Sequence, residues 1–192
     1  MRGVKFIICF MTTVRCVMVG SGAGKTSFAV TAATDAFPEY LANTVDEIEY
    51  DVQVGDTKVK VGLLDTEGEN DLLRPLSYFV ADVVMICIPI VNKKGLYRAR
   101  LEAVYEFWFH EVVRLRPKSP IILLGTKLDL RGSSNDYPSY TCAEGLKVAK
   151  NIRAAQYLEI SSLDRKGVKA AMRCIAEVGL YGQPKSTKCS IA

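Results

Sequence analysis

Three short segments of this 192-residue chain carry side chains whose types and spacing can do chemistry. The first is Gly20-Ser21-Gly22-Ala23-Gly24-Lys25-Thr26-Ser27, which follows the apolar run Cys16 to Val19 and leads into helix-forming sequence. A glycine-rich turn of this kind aims successive backbone N–H groups at an anion. Lys25 adds a point charge for β- and γ-phosphates, and the Thr26 hydroxyl is a ligand for Mg²⁺. The helix beginning here directs its N-terminal amides at the same anion. The usual spacing is glycine, four residues, then Gly-Lys-Ser/Thr. Gly20 leaves only three residues before Gly24, so the phosphate cradle is one residue short. The alternative register puts Val19 at the first glycine position, which strains the turn.

The second segment is Asp65-Thr66-Glu67-Gly68, at the end of an apolar strand. An acid there can hold Mg²⁺, and the glycine lets a backbone N–H approach a γ-phosphate. Alone, Asp-x-x-Gly is an ordinary turn composition. The third is Gly125-Thr126-Lys127-Leu128-Asp129, directly after the apolar run from Pro120. The Asp129 carboxylate can accept two hydrogen bonds, from the N1–H and 2-amino groups of guanine; adenine offers no such pair. The Lys127 stem can pack on a purine ring. In isolation this piece reads equally well as a solvated strand-end loop. The three together, in this order, point to a guanine nucleotide.

The elements that must position these residues alternate between strand and helix, which predicts an α/β fold with a mostly parallel sheet and helices on both faces. Strands are expected at 16–19, 48–54, 58–64, 83–91, 120–125 and 156–160, and helices at 25–36, 97–114 and 167–180. Gly55-Asp56 closes a hairpin between the second and third strands. The runs at 83–91 and 120–125 are continuously apolar, as in strands buried on both faces. Residues 1–12 read as an N-terminal extension, 13–180 as one domain and 181–192 as a flexible tail.

Composition narrows the class. A net charge of +4 with scattered basic residues gives no footprint for nucleic acid. The apolar stretch Val4–Met11 is too short to span a bilayer and lacks a small-residue cleavage site. Most of the six cysteines sit in apolar segments as free thiols, which implies a reducing, cytosolic setting. His110, the single histidine, belongs to an apolar helix and reads as a packing residue.

With these residues in place the chain resembles the Ras-like small GTPases, and within them the Rho/Rac branch, over about residues 13 to 192. The resemblance rests on Phe37-Pro38, on Leu73-Arg74-Pro75-Leu76-Ser77-Tyr78, on Trp108, on the run Pro120 to Arg131 and on Ser161-Ser162-Leu163. The Thr-Lys-x-Asp form of the guanine element is a Rho-branch trait. The resemblance implies a P-loop NTPase fold with a six-stranded sheet, binding of GTP and GDP with Mg²⁺, and a monomeric switch. It implies that Thr44 joins Thr26 and Asp65 around Mg²⁺ and that Gly68 reads the γ-phosphate. It places Phe37 against the base, with Thr126, Lys127, Asp129, Ser161, Ser162 and Leu163 in the base pocket. Effectors would engage Thr44–Tyr50 and Asp65–Tyr78, and exchange factors, GTPase-activating proteins and a GDP-dissociation inhibitor are the expected regulators. The roles implied lie in the cytoskeleton, polarity or membrane traffic.

The chain also departs from that pattern. Beyond the short loop, Glu69 stands where the family has the glutamine that orients the attacking water. A carboxylate cannot donate that hydrogen bond, and it adds like charge beside the phosphate. Glu67 replaces a small alanine and brings a second acid. The effector segment Val45–Tyr50 is more acidic than the family's, and the stretch Arg131–Gly145 is shorter than the Rho insert. Weak hydrolysis is therefore expected. The alternative is a GTP-locked or hydrolysis-deficient interaction module. A small-molecule kinase on the same fold is disfavoured by the guanine element.

Cys189-Ser190-Ile191-Ala192 fits the C-a-a-X prenylation pattern, with terminal alanine favouring farnesyl. Only Lys185 and Lys188 lie just upstream, so reversible attachment to the cytoplasmic face of membranes is expected, internal membranes ahead of the anionic plasma membrane.

Overall fold

Two layers of helices cover the two faces of one sheet. The structure is a computed structural model, and it describes residues 12–40, 47–66, 74–91, 97–133, 138–182 and 190–191. The strands are β1 (Thr12–Val19), β2 (Ile48–Val54), β3 (Thr57–Asp65), β4 (Val83–Pro89), β5 (Ile121–Thr126), β6 (Gln156–Glu159) and β7 (Ser190–Ile191). The helices are α1 (Lys25–Thr34), α2 (Arg74–Phe79), α3 (Tyr97–Ala103), α4 (His110–Leu115), α5 (Cys142–Asn151) and α6 (Val168–Tyr181).

The sheet order is β2-β3-β1-β4-β5-β6-β7. Only the β2–β3 hairpin, turned at Gly55, is antiparallel, and every other pair is parallel. The six expected strands therefore form a mostly parallel sheet, as in the P-loop GTPase fold. The two-residue β7 adds to them, pairing Ser190 with Leu158 and Ile191 with Glu159. Those two residues belong to the tail that the sequence leaves unstructured.

Side-chain alternation along the strands divides the core in two. Val14, Cys16 and Met18 of β1, with Met85, Cys87 and Leu124, pack on one face with Phe28 of α1 and Ile175 of α6. Val17 and Val19, with Val84, Ile86 and Leu123, pack on the other with Val104, Trp108 and Val112. Both faces being apolar is why β4 and β5 read as unbroken hydrophobic runs.

The helix expected over 97–114 is present but changes pitch, because Val104–Phe109 forms a π-helical segment joining α3 to α4. Val104, Trp108 and Val112 still reach the core, while Tyr105 and Phe107 stay exposed. Exposed His110 lies edge-on to Tyr105, with ring centroids 5.2 Å apart, in a surface packing role.

Two helices, α2 and α5, lie beyond those expected from the sequence. α5 carries a signal that marks it: Thr141 accepts from the Glu144 N–H while the Glu144 carboxylate accepts from the Thr141 N–H. That reciprocal pair is a capping box, legible as Thr-x-x-Glu. α2 is a single short turn with no comparable signal. It is held from outside, where Arg74 makes two 2.8 Å bonds to Glu111 and the Tyr78 hydroxyl donates a third at 2.8 Å. Arg74 also lies over the Trp108 ring, 5.0 Å from its centroid.

Candidate functional site

The site forms at the ends of β1, β3 and β5, where three loops meet. Val19 is the last residue of β1 and pairs with Ile86, so it belongs to the strand rather than to the turn. The turn is made by Gly20, at φ 130°, against the Cys87 carbonyl of β4. A Cβ there would collide with that oxygen, which is backbone and cannot step aside. Gly20 thus takes the first-glycine position, and the loop is one residue short. The alternative register with Val19 in that role is ruled out.

The Lys25 side chain folds back over the loop. Its Nζ donates to the Gly20 carbonyl at 2.7 Å and lies 3.9 Å from an Asp65 carboxylate oxygen. Both side chains are over nine-tenths buried, so their attraction is little screened by water. Thr26 donates its hydroxyl hydrogen to the other Asp65 oxygen. The Asp65 carboxylate and the Thr26 hydroxyl are adjacent hard oxygen donors, the set that suits Mg²⁺. Next to Asp65, the buried Thr66 ties its hydroxyl to the Met18 carbonyl at 2.7 Å, fixing where the strand ends.

The β5 loop supports the phosphate loop from below. Thr126 is 2 % exposed and donates to the Ala23 carbonyl at 2.6 Å. Lys127, in a left-handed conformation at φ 61°, donates to the Gly22 carbonyl at 3.1 Å. Two residues expected against the base thus have their polar ends on the phosphate loop. For the buried Thr126 this makes loop support its visible role, while the Lys127 stem still spans the gap between the loops.

Asp129 and Ser161 come together as expected. Ser161 Oγ donates to Asp129 Oδ1 at 2.7 Å and accepts from the Asp164 N–H at 3.0 Å. The Leu128 N–H also donates to the Ile160 carbonyl at 3.0 Å, so the two loops share a backbone link. Ser162 is buried beside them, whereas Leu163 and Phe37 are largely exposed. The segment leading to Phe37 is drawn towards this turn, since Arg165 bonds the Asp35 carbonyl at 3.2 Å and Lys169 pairs with its carboxylate at 3.3 Å. Ser27 is buried under the loop at the start of α1. Thr44, Glu67, Gly68, Glu69 and Cys189 lie outside the described residues.

Sequence reasoning missed two supports. Arg131 makes two 2.7 Å bonds to Glu159, which is fully buried and also accepts from the Tyr157 hydroxyl at 2.7 Å. That clamp braces the Asp129 loop against β6, and the bonds to Glu159 hold the Arg131 guanidinium even more firmly protonated than usual. The other is Arg100 of α3, which donates to the Ser21 carbonyl across 79 residues of sequence. No local pattern marks either. Cys87, behind the loop, is an inert packing group, since burial pushes its thiol up to about 12.

A glycine-rich loop with a folded-back lysine, an acid beside a threonine hydroxyl and an Asp–Ser pair on the neighbouring loops can hold a purine nucleotide by both its ends. The family model described as the Ras family matches residues 15–179, which spans all three loops and nearly the whole sheet. The chain belongs to the Ras family, and is a small GTP-binding switch protein.

Proposed function

We propose that the chain is a Rho-like, membrane-attached guanine-nucleotide switch whose own GTP hydrolysis is weak. The observation that carries this reading is the meeting of Lys25, Thr26 and Asp65 with the Asp129–Ser161 pair at one end of the sheet. The Rho/Rac assignment is supported by Thr126-Lys127-Leu128-Asp129 and by Arg74-Pro75-Leu76-Ser77-Tyr78.

In this reading the amides from Gly22 to Thr26 and the Lys25 ammonium hold the phosphates. Asp129 accepts from the guanine edge, and Ser161 holds its carboxylate in place. Thr26 and Asp65, joined by Thr44, are the residues that would hold Mg²⁺, which when bound offsets the charge of the β- and γ-phosphates. Ser162, Leu163 and Phe37 border the base. Thr44 and Gly68 would respond to the γ-phosphate and reorder the loops that effectors read at Thr44–Tyr50 and Asp65–Tyr78. Cys189 would carry a prenyl group that attaches the protein reversibly to the cytoplasmic face of membranes.

Two features favour weak turnover. Glu69 supplies a negative acceptor where water needs an orienting amide, and the short loop has lost one phosphate donor. A charge-assisted hydrogen bond is worth about 1.5–3 kcal/mol. The same features favour a second reading, a GTP-locked interaction module. Nucleotide content after purification, together with turnover of loaded GTP, separates them. Bound GDP with slow, measurable turnover supports the switch, and persistent GTP supports the locked module. Recovery of no nucleotide at all overturns the switch and the GTP-locked form, and supports a nucleotide-free interaction module.

A further inference from the structure

Arg100 projects from α3 to the phosphate loop, where its Nη1 donates to the Ser21 carbonyl. The rest of the guanidinium lies over Gly22. A Cβ on that glycine would sit 3.7 Å from Nη2 and 3.9 Å from Nη1. One hydrogen bond uses one of the five N–H donors of the fork. No carboxylate pairs with Arg100 among the described residues. Arg131, by contrast, meets a carboxylate bidentately, and so does Arg74. The arginine at the anion-binding loop therefore keeps fork donors that no carboxylate of the described residues occupies. Arg100 borders a cavity of about 230 Å³ that Ser21, Ile88, Pro89, Ala103 and Trp108 also line.

We propose that Arg100 is a cation built into the nucleotide site, restoring the phosphate attraction that the shortened loop has lost and favouring GTP over GDP. Gly22 holds φ 60°, which favours glycine, and a Cβ there would come only into ordinary contact with the guanidinium. A unit charge at this range acts more strongly on the more highly charged nucleotide, and the loop's partial burial limits screening. The bond to Ser21 fixes the fork, so little side-chain freedom remains to be lost when phosphate arrives. Arg100 and Lys25 thus bond adjacent carbonyls of the loop, Ser21 and Gly20, from two different helices.

The inference rests on the nucleotide-binding reading above, and one experiment tests the two separately. Dissociation of fluorescent GTP and GDP analogues is followed for the full-length wild type, Arg100→Ala and Arg100→Lys, at low and high salt. The expected result is that Arg100→Ala releases the GTP analogue at least about tenfold faster but the GDP analogue less than about threefold faster. Arg100→Lys recovers most of the difference, and the variant's rates depend less on salt than those of the wild type. Equal acceleration of both nucleotides makes Arg100 only a loop brace and overturns the inference, as does no change in either. If Arg100→Ala does not fold, judged by circular dichroism, Arg100→Gln against Arg100→Lys makes the same comparison. A wild type that holds neither nucleotide overturns the binding reading itself, and this inference with it.

Discussion

Ser161 holds the Asp129 carboxylate at 2.7 Å from one oxygen, leaving the other oxygen of that side chain unencumbered by this bond. A carboxylate fixed in this way presents a directed acceptor rather than a freely rotating one. Asp129→Asn replaces that acceptor with an amide whose NH2 faces guanine's own donors. Guanine nucleotide affinity should fall by at least about a hundredfold, since a buried polar group left unpaired is strongly rejected. Xanthine nucleotides, which carry an oxygen in place of the 2-amino group, should gain. Ser161→Ala should weaken binding only several-fold. Competition titrations with both bases check this.

Gly20→Ala should cost more than any other single methyl in the loop. The added Cβ collides with the Cys87 carbonyl, and φ 130° is strained for any L side chain. Loss of several kcal/mol is expected, roughly the scale of a strained, overpacked core site. Chemical denaturation of the variant checks it.

Glu111 makes the stability of the protein sensitive to acid. Burial pushes its carboxyl up, but the bonds from Arg74 and Tyr78 outweigh that and hold it below the usual range. A group depressed in the folded state stabilises fully above its unfolded value of about 4.3, and that share is lost as pH falls through the lower folded value. Removing Glu111 strips Arg74, itself 5 % exposed, of its two carboxylate bonds. Glu111→Ala should therefore cost about 1.5–3 kcal/mol at neutral pH. Thermal melts from pH 7 to 3 should show a steeper decline for the wild type than for Glu111→Gln.

Glu69→Gln should restore the donor that orients water and raise GTP turnover by about tenfold or more. Single-turnover hydrolysis measures it. No increase would mean that Glu69 does not limit turnover.

Cys189→Ser should leave a tagged copy diffuse, because a single lipid chain is the only strong membrane affinity proposed for this chain. Persistence on membranes would require another anchor.

Much of this was legible in the sequence because the loops that bind phosphate and base are written as short local patterns. Gly20–Thr26 and Thr126–Asp129 each need particular residue types at adjacent positions, so spacing alone located them. The apolar runs at 83–91 and 120–125 likewise announce buried strands. Long-range pairs left no such trace. Arg100–Ser21, Arg74–Glu111 and Arg131–Glu159 join residues 28 to 79 positions apart, and a lone arginine does not say which carbonyl or carboxylate it will meet. The π-helical turn at Val104–Phe109 is equally silent, since its apolar spacing still fits an ordinary helix. The α5 capping box is different, because Thr141 and Glu144 carry a local signature.

The hydroxyl of Thr126 and the ammonium of Lys127 fasten the β5 loop to the carbonyls of Ala23 and Gly22, so two of the recognition loops form a single caliper. The span between its jaws is measured by side chains rather than by a hinge. A guanosine without phosphates, or a triphosphate without a base, fills one jaw only. Each half-ligand would then find its partner's jaw already at the right separation, and the whole nucleotide would bind far more tightly than the two pieces apart.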